Sequence, residues 1–514
     1  MTHRQVLEAL SGLLLALFVA MVSSTIVSTA LPKIIGALNG TQTQYTWVVT
    51  ATLLAATATT PIWGKLADLY SKKVLVQISI VIYVVGSIIS GMAQNTSELI
   101  AARAFQGIGV GGLQALVQVV IAAMIPPRER GRYNGYLGGV MAVATVGGPL
   151  LGGVIVDTSW LGWRWCFFVG VPVAILALVV LQKTLHLVTV KRDNLKIDYL
   201  GATLIAAGVS TLLIWVSFVD SSFAWMSWQT GAMVGAGVVL LALAVWVESR
   251  AAEPVVPLSI VKQRTTALSI LASLAVGMAM FGGAVFLGQY FQIGRGYTPT
   301  EAGLLTIPLM AGVLVSSIVV GQLITRTGKI KPYIIAGTVV LVAGFAALAT
   351  IDHQTSLVFV GFGMLLVGVG VGMSMQNLVL AVQNTVPLKD IGAASSTVAF
   401  FRSLGGTIGV SVLGAVLARR VSDNITHSLA AAGVQAPAGG ETSNLNLGAL
   451  PPAFQHIVRA AYGDATGHIF LISAAIAVVG VLAAVFMKPA MLRSTLDLSA
   501  QKPATEEPVG ATNR

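Results

Sequence analysis

Charge is scarce in this chain. Asp, Glu, Lys and Arg together make up 10% of its 514 residues, against about a quarter in a soluble globular protein, which excludes the soluble class. Cysteine is nearly absent: Cys166 stands alone, so there is no intramolecular disulfide framework and no Cys-cluster metal site. The six histidines, at 3, 186, 353, 427, 456 and 468, show no ligand-like spacing, and no metal or cofactor is expected. Acids are scarcer than bases, 19 against 30, for a formal charge of +11. What fills the chain is apolar: 55% of residues are hydrophobic and the mean hydropathy is +0.85. Disorder is excluded by the same numbers, except near the C-terminus.

Apolar runs define fourteen expected transmembrane helices. They fall near 10–31, 46–66, 74–94, 99–124, 133–156, 163–182, 199–219, 229–247, 268–290, 302–324, 332–350, 356–386, 393–418 and 467–487. At roughly 20 residues each they use about 280 residues. The first run ends at Leu31-Pro32 without a small-residue cleavage pattern, and reads as a retained span.

Sorting the 30 Lys and Arg with the N-terminus inside puts 22 on cytoplasmic segments and six outside, with Arg103 and Arg402 within spans. Basic residues resist translocation, so both termini are expected in the cytoplasm. The positive charge then reports insertion and not a nucleic-acid partner. Trp47, Trp160, Trp163, Trp165, Trp225 and Trp228 collect at the expected outer boundaries, where an indole satisfies both its ring and its N–H. Residues 419–466 read as a long external loop, and the polar tail after Met491 as disordered.

The chain repeats itself. Gly107, Gly109 and Gly111 recur as Gly368, Gly370 and Gly372, and at the same offset of 261 Pro126 meets Pro387, Gly131 meets Gly392, Gly148 meets Gly409 and Gly153 meets Gly414. Gly64-Lys-Leu-Ala-Asp68 meets Gly321-Gln-Leu-Ile-Thr325 at an offset of 257. The shift is eight spans, an even number, so the repeats are parallel: six-span halves with two spans inserted between them. The expected organisation is an all-α membrane protein with an N-terminal six-helix bundle (1–183), a linker with two inserted helices (184–262), a C-terminal six-helix bundle (263–490) and a tail (491–514). Parallel six-span repeats around a midplane cavity are one architecture of secondary transporters.

Three motifs carry chemistry. Gly64-Lys-Leu66-Ala-Asp68-Leu-Tyr-Ser-Lys72-Lys73 follows the second span; an acid beside a helix terminus, with basic neighbours, can latch two halves together. Arg103-Ala-Phe-Gln106-Gly107-Ile-Gly109 places a guanidinium inside the fourth span, where charge is expensive and marks function by default. On the fifth span Ala144 precedes Gly148-Pro149 and Gly152-Gly153; the proline removes a helix hydrogen bond and the glycines allow a tight crossing, giving a kinked helix. The second half keeps Gly409 but has Val410 in place of Pro149.

Together these resemble the major facilitator superfamily. Gly64, Leu66, Asp68, Lys72 and Lys73 match its loop signature, with Ser71 replacing a Gly. Arg103 matches its fourth-span motif, whose Arg is implicated in proton transfer. The fifth-span pattern resembles the antiporter signature of drug exporters. Ser24-Thr25-Ile26-Val27, Trp163-Arg164-Trp165, Tyr297-Thr-Pro299 and Arg402-Ser-Leu-Gly405-Gly406 place the resemblance in the fourteen-span drug:proton antiporter branch. It implies a major facilitator fold and a secondary transporter, not an enzyme, that exchanges protons for amphiphilic small molecules, so multidrug efflux and antibiotic resistance. The implied roles are a cytoplasmic gate at Gly64, Asp68, Lys72 and Lys73, proton coupling at Arg103 and an antiporter kink at Gly148, Pro149, Gly152 and Gly153. Partners are the small-molecule substrate, protons and the lipid bilayer, with no nucleic acid, and the chain is expected to act as a monomer.

One departure concerns the substrate. Exporters of this branch often carry an acid before the Thr-Ile-Val run; here that place is Ser23, and none of the 19 acids lies in the central third of any expected span. Strict selection of cations is therefore not expected. Polar groups in apolar spans are the candidates for a substrate cavity: Ser23, Gln114, Gln118, Tyr290, Gln376, Asn377 and Arg402, with Ser28, Gln289, Gln292, Gln383 and the aromatics Phe291, Phe400 and Phe401. A dedicated exporter of one cellular lipid, siderophore or amino acid fits the same fold. A receptor, scaffold or membrane-embedded enzyme fits less well: no Ser/His/Asp grouping or nucleotide loop is present, and Gly107-x-Gly109 lies inside an apolar helix.

Overall fold

The computed structural model describes residues 3–38, 42–158, 160–185, 198–219, 223–251, 254–256, 258–297, 299–387, 390–431, 452–489 and 491–492. Most of the expected linker 184–197, the centre of the expected external loop and nearly all of the tail lie outside the described residues. In chain order the helices are α1 (His3–Ala37), α2 (Gln42–Leu69), α3 (Lys72–Met92), α4 (Thr96–Met124), α5 (Pro127–Asp157), α6 (Trp165–Phe168), α7 (Gly170–Thr184), α8 (Tyr199–Phe218) and α9 (Trp228–Glu248). They continue with α10 (Leu258–Val261), α11 (Arg264–Gln289), α12 (Pro299–Leu305), α13 (Ile307–Thr327), α14 (Lys331–Leu348), α15 (Leu357–Gln383), α16 (Ile391–Ala431) and α17 (Pro452–Phe486). A π-helical turn, Tyr290–Gly294, follows α11.

A bilayer offers the backbone no water, so each crossing must satisfy its own hydrogen bonds, and a helix does so. Eleven helical stretches among the described residues are long and apolar enough to cross. Two of these combine neighbours, α6 with α7 and α12 with α13. Three further long helices stand between them: α2, rich in threonine and carrying Pro61, α5 and α11. Each of the fourteen apolar runs falls on helix among the described residues, and eleven of these stretches are long and apolar enough to cross.

Helix ends are set by local chemistry. Asn95 accepts from the Glu98 N–H (2.9 Å) while Glu98 accepts from the Asn95 amide (2.7 Å) and the Gln94 N–H (2.9 Å), a reciprocal cap that starts α4. Asp198, Ser227 and Ser356 cap α8, α9 and α15. The ordinary start of α16 is different, and is taken up below.

Two apolar cores are separate in space. One joins α1, α2, α3, α4, α5 and α7 around Leu13, Val76, Leu116 and Leu137. The other joins α11, α13, α14, α15 and α17 around Ile334, Leu341, Phe345 and Leu378. A third, smaller cluster lies where the halves meet: Ala122 of α4 with Val379 and Val382 of α15, and Ile391, Ala394 and Val398 of α16. The inserted pair α8 and α9 packs at one flank. Ile205, Val209 and Leu213 of α8 share a cluster with Phe400 of α16 and with Leu54 and Ile62 of α2, and Phe218 stacks on Trp47 of α2 at 4.6 Å. The eighth helical rod is mostly exposed, which suits a lipid-facing position.

One expectation is corrected. Residues 419–431 and 452–466, read as loop, are helical: α16 runs 41 residues and α17 35, or about 60 and 50 Å against a hydrocarbon core of about 30 Å. The extensions hold each other through Val421 and Ile425 of α16 and Ala461, Ala465 and Ile469 of α17. Spaced four apart, these make one apolar stripe per helix, which the surrounding polar residues hide in a search for long apolar runs.

Candidate functional site

The first turn of α16 carries backbone N–H groups with no partner of their own on that helix. Asp68, at the end of α2 in the other half, supplies it: Oδ1 accepts from the Gly392 N–H and Oδ2 from the Ala393 N–H, both at 2.8 Å. The carboxylate is thus an N-cap delivered across the interface, where the positive end of the helix dipole favours it. Approach this close requires glycine on both sides. A Cβ on Gly64 would run into the Ser396 side chain, and one on Gly392 into the Gly64 carbonyl and the Asp68 carboxylate.

The other lysines of the motif separate. Lys73 donates to the Gln182 carbonyl (2.7 Å) at the end of α7, a bond within its own half. Lys72 begins α3 and faces Asp68 electrostatically. A residue that had been counted only as a cytoplasmic loop charge joins the interface instead. Arg130 is 1% exposed; it donates to the carbonyls of Ile125 (2.7 Å) and Ala122 (2.6 Å), closing the end of α4, and to Oε1 of Gln383 on α15 (2.9 Å). Gln383 passes the chain on to Ser395 of α16 (2.9 Å). The Pro126–Pro387 and Gly131–Gly392 repeat was the signal that bracketed this loop.

Above the apolar cluster of Ala122, Val379 and Val398 lies a polar layer. The Gln118 amide donates to Gln376 Oε1, joining α4 to α15, and Gln376 Nε2 lies 4.0 Å from the Met141 sulfur on α5. Asn377, 4% exposed, spends its amide on the Met373 carbonyl (2.6 Å). Gln114, one turn from Gln118 on the same face, is half-buried. Arg402 is 8% exposed and its Nη1 is buried with no partner. Of the bridges between the halves, those at Asp68 and Arg130 lie at the Asp68 end of the bundle, where Ser395 and Gly392 begin α16.

Arg103 sits apart, inside the first half. It is 3% exposed; Nη1 donates to Gln106 Oε1 (2.6 Å), whose amide donates to Ser87 (2.7 Å), while Nε has no partner. Ser23 is buried in the same half with its Oγ unpartnered. Tyr290 is fully buried, its hydroxyl donating to the Asp352 carbonyl (2.7 Å) and accepting from Arg295 (3.1 Å). The structure therefore joins Gln118 to Gln376, with Gln114 and Asn377 beside them on the same two helices, and leaves Ser23 and Tyr290 elsewhere. Phe291 lies in the second core and Phe400 against the inserted pair. On α5, a Cβ at Gly148 would overlap the Thr25 hydroxyl, which donates to the Ala144 carbonyl (3.2 Å), so the glycine sets the crossing with α1. Gly152 is buried and Gly153 half-buried. The side chains of Pro149, Ser28, Gln289 and Gln292 lie outside the described residues.

Two helical halves, capped across their interface, meet at an apolar plug (Ala122, Val379, Val382, Ile391, Ala394 and Val398) with a polar layer above it, in one membrane-protein bundle. The chain belongs to the major facilitator superfamily. The pattern described as Major Facilitator Superfamily matches residues 13–410. The chain is 35% identical over 420 residues to the multidrug transporter protein MdtP of Bacillus subtilis, covering 82% of this chain and 77% of that one. It is 32% identical over 512 residues to the efflux pump dotC of Dothistroma septosporum, covering 96% and 86%. The fold is that of the proton:xylose symporter XylE, with a TM-score of 0.60 at 15% identity over 95% of this chain and 96% of that chain. Membership places the chain among transporters and not enzymes.

Proposed function

We propose that the chain is a proton-coupled exporter of amphiphilic small molecules, a multidrug efflux transporter that works by rocking of its two halves. The observation that carries this is the Asp68 carboxylate bonded to the Gly392 and Ala393 N–H groups. It is a contact between halves that water can replace when they part, and so a latch suited to alternating access. The name of the efflux pump dotC supports the export direction, and that of the multidrug transporter MdtP a broad range of substrates. With 22 of 30 Lys and Arg on one side, the latch lies on the cytoplasmic face of a bacterial plasma membrane, both termini are cytoplasmic, and the conformation is closed to the cytoplasm. Fourteen spans follow if α2, α5 and α11 cross with the rest. Arg103 couples protons by changing the groups it binds, and the monomer is the working unit.

The test is export from proteoliposomes holding a panel of fluorescent amphiphiles, with and without an imposed proton gradient. Gradient-driven export that Asp68→Asn and Arg103→Ala abolish, in protein that still inserts, is the expected result. Export that ignores the gradient removes the antiport assignment, and full activity in both variants removes the latch and coupling roles.

A further inference from the structure

Arg402 presents a chemical problem that the fold leaves unsolved. It lies eleven residues after Ile391 on α16, about 16 Å along the helix, which puts a guanidinium near the middle of the membrane. It makes no hydrogen bond or ion pair with any described residue, and its Nη1 is buried and unpartnered. Asp68, the carboxylate held at the start of α16, is ten residues away at Gly392, about 15 Å down the axis. An unpaired buried charge of this kind costs a protein free energy and is retained for use.

Its position follows from packing. Ile391, Ala394 and Val398 form the face of α16 that enters the plug; Arg402, one turn beyond Val398, continues that face. Ala122 of α4 is in the same plug, and Gln118 stands one turn from it in the same direction, because α4 and α16 run oppositely. Arg402 and the Gln118–Gln376 pair therefore share one level, directly above the plug. The repeat agrees: 261 residues before Arg402 is Met141, which touches Gln376 across the interface.

Several donors at this level have no strong acceptor among the described residues. Arg402 donates to nothing. The Gln376 amide has only the Met141 sulfur at 4.0 Å, a weak acceptor. On α11, Gly277 packs against the Arg402 backbone, and one turn away Ser273, 1% exposed, has a buried hydroxyl without a partner. No described carboxylate bonds to any of them. We infer that this level is the recognition site for an anionic head group, and that the substrates are amphiphiles bearing a carboxylate or similar monoanion bound by Arg402 with Gln376 and Ser273. The inference rests on the exporter reading for what happens after binding, but the site itself does not.

The test uses the purified full chain and three pyrene probes of one skeleton: pyrenebutyrate, its methyl ester and pyrenebutylamine. Binding is read by energy transfer from tryptophan. The carboxylate should bind about ten-fold or more tightly than the amine, as expected for a charge-assisted hydrogen bond. Arg402→Gln should erase that preference and Arg402→Lys should keep part of it. Ser273→Ala gives a second, milder reading, a several-fold loss for the carboxylate alone, should Arg402→Gln not fold. Equal affinities, a preference for the amine, a preference that survives in Arg402→Gln or, where that variant does not fold, one that Ser273→Ala leaves undiminished, or no saturable binding of the carboxylate would each overturn the inference. The same probes in proteoliposomes separate the two readings. Gradient-driven export of the amine without anion preference keeps the exporter and removes this site, whereas tight carboxylate binding without export keeps the site and removes the exporter.

Discussion

Each half of the molecule buries an arginine among its membrane helices, and the two are treated in opposite ways. Arg103 in the first half is held by Gln106, which is held in turn by Ser87; Arg402 in the second is bonded to nothing described. Neither faces a carboxylate within its span. A guanidinium with hydrogen-bonded neighbours contributes to its own half even though its Nε stays bare, whereas one bonded to nothing costs the protein free energy. Burial alone would class the two together; their partners separate them.

The comparison is broken most readily by thermal unfolding of purified variants. Arg103→Met strands the Gln106 carbonyl oxygen and should destabilise by about 2–4 kcal/mol. Arg402→Met removes an uncompensated charge and should leave stability unchanged or raise it by about 1 kcal/mol. Losses of equal size in both would show that Arg402 is as well satisfied as Arg103. A charge that is fully used on the interface sharpens the contrast: Asp68→Asn should shift the closed end toward open by about ten-fold, or ~1.4 kcal/mol. The labelling rate of a cysteine placed at Val382 in the plug reports that shift, and an unchanged rate would remove the latch from the account.

The third buried arginine gives a smaller and more selective effect. Arg130 and Gln383 should show a coupling of about 1 kcal/mol in a double-mutant cycle of Arg130→Met and Gln383→Leu, and additive losses would confine Arg130 to closing α4. Smallest is the crossing of α1 and α5. Gly148→Ala should cost about 1–2 kcal/mol by overlap with Thr25, with part of the loss recovered in the Thr25→Ala background; no recovery would place the strain elsewhere.

The rods were legible because a bilayer demands about 20 apolar residues per crossing and tolerates no other backbone there. Asp68 stood out in the sequence by its motif, and Gly392 as a repeat position, but nothing in the sequence joins residues 324 apart in number. Arg130 was hidden by its company: among Arg128 and Arg132 it reads as one more loop charge, and only the fold shows it turned inward. Arg402 was legible as a polar group in a span. Its isolation was not, since having no partner is a property of three-dimensional surroundings. The extensions of α16 and α17 were missed because their apolar stripes are narrow and interrupted by Arg, Asp and His.

The length of α16 has a mechanical meaning. One unbroken helix carries the residues that Asp68 holds, then Arg402, then the stripe of Val421 and Ile425 beyond the bundle. A stiff rod of about 60 Å converts a tilt of about 10° at its capped end into about 10 Å of travel at the other. Spin labels at Ser422 and Trp160 would register that travel as a change of distance whenever the latch opens, and a fixed distance would show the rod to be jointed. The far tip of α16 is then a handle: an antibody fragment that grips it should hold the capped end in place by leverage, from the opposite end of the rod.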